Sequence, residues 1–315
     1  AMELIEGVAL SELCDYSFGD QSGKWGNIYT SFMKGANLLN TEFATKVFDL
    51  SKERDYMTLF IDNIRLYNRG IIEVKEEDKD YVFGLMEESN LLKLCGCYPM
   101  MKFIIFTNLE DTPIDEDIFD CIPDNVLCIS AVNAIENGGK VIPSPYGVQR
   151  RMSPSDNRIE QLGNAMKVDV DPSRFTLLYV NHNDSSHQDR VGLKNIFRDQ
   201  SWSNVDEKRV DYYNFLLNLA NHKFILCPRG NAIDCHRNWE VLYMRRVPVM
   251  KRYEYLEILF KDYPVLWVND YSEVTNDLLK ENDHLYEEAQ EMDLSTLTLP
   301  TFFDKIITEY AGVNG

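Results

Sequence analysis

The stretch Lys223–Arg252, KFILCPRGNAIDCHRNWEVLYMRRVPVMKR, decides how this chain is read. Its apolar run Phe224-Ile225-Leu226 predicts a short buried strand that stops at Cys227-Pro228, since proline cannot donate to a strand ladder. The loop Arg229-Gly230-Asn231 follows and opens a predicted helix from about Asp234 to Met244. Cys235, Trp239 and Leu242 form the apolar stripe, which sets Arg237 and Glu240, three apart, together on another face. Val247-Pro248-Val249-Met250 then predicts the next strand. Strand, helix and strand in one stretch make a βαβ unit, and such units build parallel sheets.

The same stretch carries chemistry. A glycine-containing loop at a helix N-terminus offers free backbone N–H groups and the positive end of the helix dipole to a phosphate. Arginine beside it supplies paired donors for diphosphate oxygens. A carboxylate one turn further in can accept from two ribose hydroxyls. Between 223 and 252 there are seven Lys/Arg against two Asp/Glu, within a chain of 32 basic and 51 acidic residues and a formal charge of −19. A basic island in an acidic chain suits a compact anion, and the overall charge disfavours sequence-blind nucleic-acid binding. The bland alternative stays open: Arg237–Glu240 as a surface ion pair, and the basic residues as a solvated face.

Cys227, Pro228, Gly230, Arg237, Glu240, Pro248 and Val249 fit in order a pattern of strand, CP-x-G, a short spacer, R-x-x-E-A, then G-x-x-P-V. The stretch therefore resembles the signature of exostosin-type glycosyltransferases, which have the GT-B fold. Val241 stands where alanine is usual, and Met244-Arg245-Arg246 replaces a small, glycine-containing turn. The resemblance implies that Glu240 holds the ribose of a nucleotide sugar and that Arg237 sits at the donor site. Arg229, Gly230 and Asn231 would line its phosphates.

Outward from this stretch, strand-like and helix-like segments alternate. Ala9–Phe18, Lys46–Leu50, Met57–Asp62, Met101–Thr107 and Val126–Val132 read as strands, with helices over Trp25–Leu39 and Asp80–Leu94. Asn137–Ser155 then holds three prolines and three glycines and reads as a boundary. The alternation restarts with a strand at Phe175–Asn181, helices from Val191 and over Asp211–Asn221, and a strand at Val265–Val268. Helical sequence follows Ser272, closing with Thr301–Ala311, where Thr301 and Asp304 could form a capping pair. The expectation is two facing Rossmann-like α/β domains, 1–145 on the acceptor side and 146–315 binding the nucleotide sugar. Open parallel sheets bind ligands beyond the carboxyl ends of their strands, so the cleft between them is the expected site.

Two further constellations bear on that site. In Leu177–Leu193, LLYVNHNDSSHQDRVGL, a strand runs into Asn181-His182-Asn183 and a polar loop that ends at Arg190. In GT-B enzymes such a loop supplies a cation to the donor phosphates, which makes Asn183 and Arg190 donor-site candidates. Arg190 would neutralise the leaving nucleoside diphosphate. His182, Asp184, His187 and Asp189 match no standard zinc spacing and read as a polar loop rather than metal ligands. In Asp15–Gly23, Asp20 is the first candidate for the general base of an inverting transfer and Asp15 the second. Asp20 could equally shape only a turn.

Seven cysteines without a CxxC pair predict reduced thiols. No apolar run is long enough to span a membrane, and the opening residues lack a signal-peptide pattern, so the expectation is a cytoplasmic protein of a bacterium or a virus-infected cell. The expected activity is sugar transfer from a UDP- or GDP-linked donor to a glycan or other hydroxyl acceptor, inverting, with no metal or further cofactor. A viral glycosyltransferase acting on hydroxymethylated DNA bases and a non-catalytic nucleotide-binding module are the alternatives.

Overall fold

The computed structural model describes residues 2–18, 41–61, 66, 90–108, 111, 113–114, 122–135, 138–149 and 157–312. The predicted helix over Trp25–Leu39 and the candidate base Asp20 lie outside these residues. The chain divides into two compact units, one of residues 7–144 and 299–315, the other of residues 1–6 and 145–298. Each is a Rossmann-like α/β unit built on a five-stranded, all-parallel sheet.

In the first unit the elements are α1 (Gly7–Leu13), β1 (Tyr16–Ser17), α2 (Thr41–Ser51), β2 (Tyr56–Ile61), α3 (Asn90–Gly96), β3 (Lys102–Thr107), β4 (Val126–Ala131) and β5 (Val141–Pro143). Its sheet runs in the order β1-β2-β3-β4-β5. Phe103, Ile104, Ile105 and Phe106 of β3 are all fully buried, as a central strand covered on both faces requires.

Two segments expected as strands are helices. Residues 9–15 hold no β-branched residue, and Ala9, Leu10, Glu12 and Leu13 favour α1, so the strand is only Tyr16–Ser17. Lys46–Leu50 belongs to α2, whose Phe43 and Val47, four apart, bury one helical face.

The last helix, α11 (Leu299–Ala311), belongs to this first unit although the sequence expectation kept 146–315 together. Its face of Leu299, Phe302, Phe303 and Ile306 packs with Phe60, Ile104, Phe106 and Cys128, and with Leu10 of α1. The helix begins at Leu299-Pro300, so Thr301 lies inside its first turn rather than capping it.

The second unit holds α4 (Arg158–Ala165), β6 (Thr176–Val180), α5 (Leu193–Phe197), β7 (Ser203–Val205), α6 (Tyr212–Ala220), β8 (His222–Leu226), α7 (His236–Tyr243), β9 (Val247–Lys251), α8 (Glu254–Leu259), β10 (Leu266–Val268), α9 (Asn276–Glu281) and α10 (Asp283–Glu291). Its strand order is β10-β9-β8-β6-β7. From β6 the chain winds outward to β7, returns past β6 to β8, and then continues the other way through β9 and β10. The winding direction reverses between β6 and β8. That reversal is where a doubly wound sheet opens a crevice at the carboxyl ends of its strands. Leu178, Val180, Phe224, Leu226, Val247 and Val249 form one core beneath it, with Leu193 and Phe197 of α5.

After α7 the backbone turns at Arg245, whose φ of 55° is in the left-handed region. The pattern that this stretch resembles has glycine at this position. Arg245 occupies it while donating from Nη1 to the carbonyls of Gln290 (2.6 Å) and Met292 (2.7 Å), contacts that offset the steric cost of the conformation. No described helix is long and apolar enough to cross a membrane, and the six described cysteines are free thiols.

Candidate functional site

The crevice between β6 and β8 is built from the two loops that leave those strands. After β8, Cys227 N–H donates the last ladder bond to the Val249 carbonyl (2.9 Å), and Pro228 ends the strand. After β6, Asn183 caps a 3₁₀ turn at Asp184–Ser186, its Oδ1 accepting from the Ser185 amide (3.0 Å). A second 3₁₀ turn, Gln188–Arg190, is capped by His187 Nδ1.

Arg190 ends that turn and ties the two loops together. Its Nε donates to the Arg229 carbonyl (2.8 Å), Nη2 to the Pro228 carbonyl (3.0 Å) and Nη1 to the Asn183 carbonyl (3.3 Å). Gly230 makes this approach possible, because a Cβ there would lie 3.2 Å from Arg190 Nη2. Arg229 folds over its own loop, reaching the Asn231 carbonyl at 3.3 Å, with its guanidinium 5.8 Å from the Tyr253 ring. Asn183 and Asn231 are exposed at the rim.

The helix α7 starts at this loop and is held as a platform. Asp234, fully buried just before it, accepts from the Tyr146 amide (2.9 Å), Asn238 Nδ2 (3.1 Å) and Trp239 Nε1 (2.9 Å). Burial pushes its carboxyl up to about 7 against those donors. Further along, the Tyr243 hydroxyl accepts from the Ile5 amide (2.9 Å) and donates to the Leu297 carbonyl (2.6 Å). His236 Nδ1 meets the Gly147 carbonyl at 2.8 Å. Gly147 itself lies against Ile5, where a Cβ would come within 2.1 Å of the Ile5 carbonyl oxygen at a φ of 70°.

Arg237 and Glu240 stand on α7, and the surface ion-pair alternative does not describe them. Glu240 is 7% exposed, and its Oε2 has no hydrogen-bond partner among the described residues. Burial raises its carboxyl above the ordinary carboxylate value, against a hydrogen bond from Tyr212 and the charges of Arg237 and Arg158. Arg237 donates from Nη2 to Asn181 Oδ1 (3.2 Å) and lies 5.2 Å from the Phe215 ring, while its Nη1 has no partner among the described residues. Asn181 is fixed in turn by Asp206, which also takes the Tyr179 hydroxyl. A carboxylate oxygen and a guanidinium N–H thus stand buried and unsatisfied on one helix at the switch point. Native interiors rarely leave such groups without a partner, and a polar ligand is the partner such a pair would take.

Asp15 belongs to the first unit and is engaged there. Its Oδ1 takes Arg54 Nη2 at 2.5 Å, and its Oδ2 accepts from the Thr58 amide (2.8 Å) and hydroxyl (3.0 Å). Among the described residues no group of three or more His, Cys, Asp or Glu side chains converges to hold a metal ion. The sequence reading passed over Asp234, whose only signal was an acid immediately before a helix N-terminus. No spacing in the sequence joins Tyr212 to Glu240.

No protein-family model matches the chain, and no curated protein sequence does. Among solved structures it is similar to an α,α-trehalose-phosphate synthase (UDP-forming) from Burkholderia vietnamiensis, at 10% identity over 91% of this chain and 78% of that one, with a TM-score of 0.42. It is similar also to the α,α-trehalose 6-phosphate synthase of Burkholderia multivorans (10% identity, 91% of this chain, 75% of that one, TM-score 0.39). A third is the UDP-GlcNAc 2-epimerase of Methanocaldococcus jannaschii (9% identity, 87% and 83%, TM-score 0.34). Likenesses this distant say nothing of what the chain binds.

Proposed function

We propose that this chain is a glycosyltransferase of the GT-B type that binds a UDP- or GDP-linked sugar in the β6–β8 crevice and passes the sugar to a hydroxyl acceptor. The observation that carries the reading is the buried, unpartnered Glu240 Oε2 one turn beyond the unpartnered Arg237 Nη1, at the switch point of a parallel sheet. In this reading Glu240 accepts from the ribose hydroxyls. Arg237, Arg190 and Arg229 surround the diphosphate, with the positive end of the α7 dipole behind it. As the glycosidic bond breaks, negative charge grows on the departing diphosphate, and guanidinium groups already fixed in place stabilise it without reorganising. Arg190 is already fixed by three carbonyls, which is what preorganisation requires.

The acceptor hydroxyl needs a base, and Asp20 is the proposed one, with Asp15 second. Displacement at the anomeric carbon by a hydroxyl so activated inverts its configuration. The guanidinium groups serve as the diphosphate's counter-charges in place of a metal. A thermal-shift screen of nucleoside diphosphates and nucleotide sugars tests the reading, since a ligand at 100 times its Kd stabilises the folded state by about 2.7 kcal/mol. Stabilisation by one nucleotide series is expected, and no response to any of them would overturn it.

A further inference from the structure

His182 is the second residue beyond β6, in the loop that forms one wall of the crevice, and its side chain is wholly enclosed. Among the described residues neither ring nitrogen has a hydrogen-bond partner, although Nε2 lies 3.3 Å from Asp184 Oδ1. The charged groups that face it are Arg237 from α7, Arg190 from the turn ahead of α5, Lys194 from α5 and Asp184 from its own loop. Three of these four are cations. Burial and then Arg237 and Arg190 disfavour the imidazolium, more than Asp184 favours it, and the ring's midpoint falls to about 4. The free protein therefore keeps a neutral imidazole, unsatisfied at both nitrogens, among the guanidinium groups that the proposed function assigns to a diphosphate. A structural histidine in a core would have at least one ring nitrogen bonded. Entry of an anion would reverse the balance. The cations would be neutralised, and a phosphate oxygen would give the ring the acceptor it lacks.

We propose that His182 is a ligand-contacting residue of this crevice, donating a ring N–H to a phosphate oxygen and taking up one proton from solvent as the anion binds. This rests on the nucleotide-sugar reading for the ligand's identity, though not for its anionic chemistry. Because the proton enters with the ligand, affinity must rise as the pH falls. If the midpoint moves from about 4 to about 6.5 on binding, affinity increases roughly tenfold between pH 7.5 and pH 5.5.

The probes are UDP-glucose and GDP-mannose, whose diphosphate diesters have no group titrating near neutral pH, and inorganic sulfate, which is fully ionised throughout. Calorimetry at pH 6 in two buffers of different ionisation enthalpy reads the protons taken up. The ring resonances of His182 in the whole protein, followed from pH 4 to 8 with and without each probe, read the midpoint directly. Net uptake with a nucleotide sugar, lost in His182→Gln, together with a raised ring midpoint in the wild type, is the expected result. A nucleotide sugar that binds without proton uptake or movement of the ring midpoint overturns the role of His182 and leaves the donor reading standing. If the nucleotide sugars fail to bind while sulfate raises the midpoint, the donor reading falls and His182 stands as an anion contact. If neither moves it, both fall. The wild-type titration decides the matter even if His182→Gln and His182→Asn do not fold.

Discussion

Arg190 lies directly against Gly230, its Nη2 3.2 Å from where a Cβ at that position would be, and its other donors hold the loops on both sides of the β6–β8 crevice. The arginine is 8% exposed, so this contact is part of the wall of the site rather than a mobile surface charge. It joins the sequence motif at Cys227-Pro228-x-Gly230 to a loop almost forty residues upstream, and it explains the glycine by space rather than by backbone angle.

Arg190→Lys should therefore lose on two counts. One ammonium cannot serve three carbonyls in that fork geometry, and replacing charged hydrogen bonds in a buried setting costs roughly 1.5–3 kcal/mol of folding stability. In the proposed reaction kcat should fall at least as much as KM rises, because the leaving group's charge grows toward the transition state. Urea unfolding and steady-state kinetics check the two parts separately. A variant with unchanged stability and unchanged kinetics would show the fork to be dispensable.

Asp234 makes stability depend on pH. Its folded carboxyl is pushed up to about 7 while the unfolded one titrates near its ordinary value, so the folded state holds a proton that the unfolded state has lost. The stability from that difference is present below the unfolded pKa and is lost as the pH rises through about 7. Between pH 5.5 and 7.5 the loss should be on the order of 1–2 kcal/mol. His182, with its midpoint lowered, contributes with the opposite sign, and its effect falls between about pH 4 and 6.5. Asp234→Asn isolates the first effect, since its slope of stability against pH over 5.5–7.5 should be flatter than that of the wild type. Parallel slopes in urea titrations would count against it.

Asp15 and Asp20 should separate by function. Asp15 is bound to Arg54 and Thr58, so Asp15→Asn is expected to cost about 1 kcal/mol of stability, with a modest effect on transfer. Asp20→Asn should leave donor affinity nearly unchanged and lower transfer by about 10²–10⁴-fold, as general-base loss does. Activity assays at saturating donor distinguish the two. If Asp15→Asn abolishes transfer without unfolding and Asp20→Asn does not, the roles are reversed.

The elements of each unit were legible where the sequence imposed one period or one stop. The apolar runs Met101–Thr107 and Val126–Val132 read correctly as buried parallel strands, and Pro228 and Gly230 marked the end of β8. Ala9–Phe18 was misread because a short apolar run without β-branched residues fits either period, and packing of Leu10 and Cys14 against α11 selects the helix. The place of α11 itself was hidden. An amphipathic helix shows that it needs a partner face but not which sheet supplies it. In the site, Arg190, Gly230, Arg237 and Glu240 carried local signals. Tyr212 and His182 did not, because their importance comes from what they lack or touch across the fold.

The burial of Glu240 implies a trade between stability and binding. Removing a buried charge whose carboxyl is already raised by desolvation should leave folding unchanged or improve it, while the ligand loses the charge and one of two acceptor oxygens. Glu240→Gln keeps the size and so separates the two effects in one variant. Isothermal titration of UDP-glucose and GDP-mannose into wild type and Glu240→Gln, beside a thermal melt of each, is the most direct measurement. The account requires that the wild type bind one of them, and that the variant bind it at least about tenfold more weakly, the equivalent of roughly 1.5–3 kcal/mol. The variant's melting temperature should be equal or higher. Equal affinity in the two proteins would contradict the assignment of the β6–β8 crevice as the donor site.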